Sequence, residues 1–99
     1  LIRLVKMRFR ADCVPLFRQH FEQHSQQIRH FEGCLYLQVL QDAADTQVWL
    51  THSHWRSAED LERYRLSPLF RSVWAQTRQW FDPQTPPLAW SLQQQYLIE

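Results

Sequence analysis

Glycine occurs once in the 99 residues, at Gly33, cysteine twice, at Cys13 and Cys34, and asparagine not at all. A single glycine excludes any glycine-rich phosphate loop, and two cysteines exclude a disulfide framework. No secretory context accompanies the cysteines, so both are expected to stay reduced and half-buried. No apolar run approaches the length needed to cross a bilayer, and the opening "LIRLVKMRFR" alternates charged with apolar residues. The expectation is therefore no signal peptide, no membrane partner and a cytoplasmic protein. Cationic excess is also missing. Eleven Lys and Arg are interspersed with ten acidic residues for a formal charge of +1, which leaves no basic stripe to neutralise phosphates and argues against a nucleic-acid partner. There is neither an internal repeat nor a low-complexity tract.

Large rings, by contrast, are abundant. Aromatics make up 14% of the chain, with five Trp, and hydrophobic residues 44%. A chain of this length supports one core, so residues 1–99 are expected to form one domain. Hiding so many rings on so small a body already suggests self-association.

Val5, Met7 and Phe9 alternate with Lys6, Arg8 and Arg10, which predicts a half-buried first strand. Asp12 offers an N-cap and Pro15 fits a first helical turn. From there Val14, Phe17, Phe21, His24, Ile28 and Phe31 recur at steps of three and four, predicting an amphipathic helix of about five turns. Gly33 follows, where a helix needs a left-handed residue to stop. "CLYLQVLQD" and "TQVWLTHSHW" read as strands joined through "DAADT", hence antiparallel neighbours. Ser57 with Asp60 resembles a capping box, and Ser67-Pro68 opens a last helix with Leu69, Phe70, Val73, Trp74, Thr77, Trp80 and Phe81 on its apolar stripe. "DPQTPP" breaks the chain before a fourth strand with Leu88, Trp90 and Leu92.

The order strand, helix, strand, strand, helix pair, strand predicts an α+β fold of the ferredoxin-like kind, βαββ(αα)β with an antiparallel sheet. Helices on one face should leave the other polar, yet Leu1, Leu4, Tyr36, Leu40, Trp49 and Trp55 fall on both phases. Burial of the second face against another copy, giving a homodimer, resolves the conflict.

Few residues here carry obvious chemistry. His24 lies within the first helical stripe, where an imidazole could accept a proton near neutral pH or could simply bond a core carbonyl. His20 and His24, or His52 and His54, could each present two metal ligands, but no carboxylate or thiol completes a set, so no metal is expected. Trp55 shares its phase with Trp49, Thr51 and Ser53 and opposes His52 and His54; which row faces the helices stays open. Tyr64 and Trp74 are expected as neighbours across the helix pair, forming either core or an aromatic wall. The cysteines have no His/Asp arrangement for nucleophilic catalysis.

Four stretches, "IRLVKMRFR", "FEGC", "SHWRSAEDLERYRLSPLF" and "AWSL", together resemble the antibiotic biosynthesis monooxygenase family of small dimeric α/β barrels. The resemblance implies a homodimer with a pocket between sheet and helices in each subunit. Some members oxidise phenolic or quinol-type molecules with dioxygen and without metal or flavin. In such members a strand-three asparagine and tryptophan hold the substrate. The tryptophan corresponds to Trp55 and the asparagine's place is near Thr51, where this chain has no amide; Gln38, Gln47 or Thr51 would have to supply the hydrogen bond. The residues of the haem-degrading members fall at Val5, Tyr64 and Trp74, none of which matches, and an indole cannot ligate iron through its N–H. What the resemblance implies is a cofactor-independent monooxygenase acting on a small aromatic, phenolic or quinol-type substrate. His24 would be its catalytic base, Phe21, Thr51, Trp55, Tyr64 and Trp74 its binding wall, with no cofactor. The alternative is a non-catalytic module that sequesters a small hydrophobic molecule in the same pocket. A haem protein using His24, His52 or His54 is a third reading.

Overall fold

A computed structural model describes residues 1–99. The alternating start forms β1 (Ile2–Arg8), and a short 3-10 turn over Ala11–Cys13 leads into α1 (Val14–Arg29). The expected cap at Asp12 is displaced by that turn. Cys13 occupies the N-cap position without a side-chain capping bond, while Pro15 stands in the first helical turn. The helix stops two residues before Phe31, and Gly33 follows at φ +90°, the only positive φ in the chain. β2 (Cys34–Gln41) and β3 (Val48–Trp55) form the expected antiparallel hairpin, with an irregularity between Cys34 and Tyr36.

Ser57 caps α2 (Ala58–Arg65) by accepting from the Asp60 N–H, and its own hydroxyl donates to Asp60 Oδ2. Ser67 caps α3 (Pro68–Thr77) in the same way through the Phe70 N–H. A second 3-10 turn over Arg78–Trp80 truncates the last helix, so Trp80 and Phe81 reach the core from outside it. β4 (Leu88–Leu92) completes an antiparallel sheet of order β2-β3-β1-β4, the ferredoxin-like arrangement expected.

Alternation then sorts the side chains. One face of the sheet meets the helices and divides into two apolar clusters, Met7, Phe9, Phe17 and Trp49 at one end, Cys34, Trp55 and Leu61 at the other. Phe9 and Phe17 stack at 4.2 Å, and full burial of a side chain of this kind contributes about 1.5–3 kcal/mol. Trp49 and Trp55 both belong to this inner face, and both cysteines are free and buried. The opposite face carries Leu40, Leu88, Trp90 and Leu92, all at least 41% exposed, in register with Leu4, Leu50 and His52. No helix is long and apolar enough to cross a membrane.

Two ionic hubs fasten the loops. Arg8 pairs with Asp45 and Asp82 and donates to Gln47, tying the hairpin and the approach to β4 onto β1. Buried Asp60 receives Arg56 and Arg63 beside its bond from Ser57.

Candidate functional site

The gap between the two core clusters is a cavity of about 360 Å³ between the inner sheet face and the helices. Odd-numbered residues of the strands reach it. β1 contributes Arg3, Val5 and Met7, β3 contributes Thr51, Ser53 and Trp55, and β4 contributes Ala89. Strand pairing explains the grouping, because Val5 stands opposite Thr51 on one side and Ala89 on the other, and Arg3 opposite Ser53 and Ser91. The row left open by the sequence is thereby assigned: Trp55, Thr51 and Ser53 face inward, and His52 and His54 face outward beside Tyr36.

Phe21, Thr51, Trp55, Tyr64 and Trp74 all line this one cavity. Trp55 is 2% exposed, stacks on Tyr64 at 5.0 Å and donates its indole N–H to Ser53 Oγ at 2.9 Å. Tyr64 and Trp74 are linked through Phe70, which is edge-on to Tyr64 at 5.2 Å and stacked on Trp74 at 5.9 Å. The helix side of the cavity is therefore a run of rings. Burial holds the Tyr64 phenol far above its ordinary pKa, so it stays a neutral donor, and its hydroxyl makes no hydrogen bond within the chain.

His24 does not reach the cavity. The imidazole that does is His20, one turn earlier and buried, with its ring 4.5 Å from that of His24. Residues 17, 20, 21 and 28 form the inward stripe of α1, and position 24 lies at its margin. There His24 turns Nδ1 back to donate to the His20 carbonyl at 2.9 Å. A step of four from His20 to His24 looks equivalent in a helical pattern, which is why the sequence favoured the wrong side of the stripe for the imidazole.

The protonation pattern of His20 follows from its partner. Nε2 lies 3.2 Å from the Val73 carbonyl, an oxygen that can only accept, so Nε2 carries the proton and Nδ1 keeps its lone pair. Burial lowers the pKa of His20 below its ordinary 6.5, the Val73 bond opposing and the His24 charge adding to the shift. The ring is thus neutral at pH 7. Val73 O also accepts from Thr77 Oγ1, and the edge of Trp80 closes over the imidazole at 5.4 Å.

On the outer face His52 and His54 bring their Nε2 atoms to 2.9 Å, one donating to the other, while Gln38 Oε1 accepts from Tyr36 and meets His52 Nδ1. Gln38 thus faces away from the cavity, and Gln47 is committed to Arg8 and to the Phe9 carbonyl. Of the three residues considered as substitutes for an amide, only Thr51 reaches the cavity. Arg3, His20 and Arg65 line the cavity without having been expected there, although strand phase places Arg3 beside Val5 and Met7; Thr77 reaches it from the apolar stripe of the last helix.

Comparison with known proteins bears on the same architecture. Solved structures match over nearly the whole chain. One, an antibiotic biosynthesis monooxygenase, is 8% identical with a TM-score of 0.86, covering 97% of this chain and 100% of its own. PA3566 from Pseudomonas aeruginosa is 15% identical at 0.82, covering 96% and 93%, and Rv0793 from Mycobacterium tuberculosis is 17% identical at 0.80, covering 95% of each chain. At these identities the likeness establishes the fold. No curated protein matches the sequence. Residues 1–76, however, match the family described as antibiotic biosynthesis monooxygenase, a span from β1 into α3 that includes most of the cavity wall. The chain belongs to the antibiotic biosynthesis monooxygenase family.

Proposed function

We propose that this protein is a cofactor-independent monooxygenase-like enzyme, acting as a homodimer on a small aromatic molecule of phenolic or quinol type. The observation that carries the reading is the meeting of a neutral imidazole, His20, with a cavity walled by Phe21, Trp55, Tyr64 and Trp74. An apolar cavity with a few placed polar groups is what a planar organic substrate requires. In the proposed reaction the base removes the phenolic proton. His20 takes that part, in place of His24, because it lines the cavity with one nitrogen unprotonated; His24 braces it from behind.

The electron-rich ring then transfers electrons to dioxygen, and a new carbon–oxygen bond forms at the ring carbon opposite the phenolate. Loss of that carbon's hydrogen as a proton breaks the O–O bond. One oxygen remains as a quinone carbonyl and the other leaves as water, so the four electrons taken from the substrate reduce one dioxygen. The rings exclude water from the anion, and Thr51 and Tyr64 are within the lining to donate hydrogen bonds to it. The apolar outer sheet face supports the homodimer, since an exposed apolar surface of this kind marks an association site.

The test is dioxygen consumption by metal-stripped protein against a panel of phenols and hydroquinones, with buffer and His20→Gln as controls. Uptake that depends on the protein and falls at least tenfold in the variant supports the assignment. Saturable binding of the same compounds with no uptake would overturn it in favour of a sequestering module.

A further inference from the structure

The cavity is apolar along most of its length but not at the Arg3 end. Arg3 projects from the central strand into the lining, beside the second cluster of Trp55 and Leu61, and Arg65 joins it from the last turn of α2. His20 lies toward the other cluster, under Trp80. Arg3 and Met7 are four residues apart on one strand, so the two ends of the lining are separated by about 13 Å.

No Asp or Glu lines the cavity. Arg3 is half-buried, and the chain's six ion pairs do not include it; its one side-chain bond is from Nη1 to Ser91 Oγ at 3.0 Å. A guanidinium has five N–H donors, so most of them remain unassigned. The neighbours across the sheet are serines, Ser53 and Ser91, which leave room rather than filling it. Arg65 meets only Glu62, at 3.4 Å with both side chains about half exposed; burial first and the Arg65 charge second lower the pKa of Arg3, with Glu62 opposing. Two like charges converge on one end of an apolar cavity whose lining holds no counter-ion, the one carboxylate near them being Glu62 on the exposed side of Arg65. That arrangement costs free energy in the empty protein and is relieved by an anion.

We propose that the cavity takes an aromatic acid, its ring against the wall of Trp55, Tyr64 and Phe70 and its carboxylate held by Arg3 with Arg65. The inference rests on the cavity's being the substrate site, as proposed above, and narrows the substrate class to phenols that also carry an acid. A planar fork of donors matches a carboxylate with two parallel bonds, which fixes the ring's direction as well as its affinity. With the acid anchored there, the far edge of the ring system points toward His20. The anion site thereby decides which ring position meets the base.

The experiment compares 2-naphthoate with 2-naphthamide, alike in shape and different in charge, by quenching of tryptophan fluorescence at pH 7.5. Wild-type protein is expected to bind the acid at least tenfold more tightly than the amide, with the preference shrinking as salt is raised. Arg3→Gln should abolish the preference by weakening acid binding at least tenfold, with a smaller loss for the amide, whose carbonyl forfeits only a neutral acceptor's bond. Arg65→Gln, on an exposed helix end, should reduce it and provides the same reading if the strand variant fails to fold. Equal affinity for acid and amide, binding of neither, or a preference that survives both variants would overturn the proposal. Acid binding without dioxygen uptake by any acidic phenol would leave the anion site standing and remove the oxygenase reading. Uptake with neutral and acidic phenols alike would do the reverse.

Discussion

Gly33→Ala is expected to destabilise the protein by more than its backbone conformation alone requires. Gly33 holds φ at +90°, where an L-residue costs roughly 1–2 kcal/mol from the clash of its Cβ with the backbone. The tertiary structure adds a second penalty. A Cβ built at position 33 would stand 2.4 Å from Asp60 Cβ and 2.5 Å from Asp60 Cγ, far inside van der Waals contact. Asp60 cannot yield cheaply, because Arg56, Arg63 and Ser57 hold its carboxylate in place and it forms part of the α2 cap. The total should therefore exceed about 2 kcal/mol, which for a domain of this size lowers Tm by roughly 8–16 °C. Urea denaturation of Gly33→Ala, Asp60→Gly and the double variant separates the two contributions. Against Asp60→Gly, where the obstructing Cβ is gone, the alanine should cost only the backbone share. A loss below 1 kcal/mol in the single variant, or strict additivity in the cycle, would refute the steric argument.

Ser53→Ala should cost about 1–3 kcal/mol, because the buried Trp55 indole N–H loses its acceptor; in a Trp55→Phe background the cost should shrink, and equal losses in both backgrounds by chemical denaturation would disprove the bond's role. His20 has its folded pKa below 6.5, so kcat/KM for a phenolic substrate should be flat above about pH 7 and fall once pH drops through that lowered value; a profile unchanged in His20→Gln would remove it as the base. The lowered pKa values of His20 and His54 also mean that stability declines as pH falls below 6.5, levelling off once both rings are protonated in the folded state, which thermal scans between pH 7.5 and 5 would follow. Asp60 is held at about 2 by Arg56 first and Ser57 second, against an ordinary 3.8, so its contribution is complete above about pH 4 and disappears as pH falls toward 2. Asp60→Asn should flatten that acid limb.

Much of the architecture was legible because local chemistry dictates it. Alternation over Val5, Met7 and Phe9 fixes a strand and its inner face, Ser57 and Ser67 start helices by satisfying orphan N–H groups, and the lone glycine makes the left-handed turn into β2, three residues beyond the His30 cap of the first helix. The apolar residues on both sheet phases are accounted for by an outer face that leaves Leu40, Leu88, Trp90 and Leu92 exposed. The family words around Trp55 led to the wall residues that share the cavity.

What stayed hidden depends on angles and distances that a linear pattern does not contain. His20 and His24 are interchangeable at helical spacing, and only the packing of α1 on the sheet puts one in the cavity and the other at its margin. Phe70 links Tyr64 and Trp74 because of how α2 turns into α3, which no periodicity records. Arg3 reads in the sequence as one polar residue of an alternating strand. The fold makes it a half-buried cation without a salt bridge at one end of an apolar cavity, because strand order places serines on both sides of it and the end of α2 brings a second arginine near. Sequence by itself determined the elements and the sides they bury, through propensity and period; tertiary structure decided which side chains meet, because contact between residues distant in the chain is set by packing.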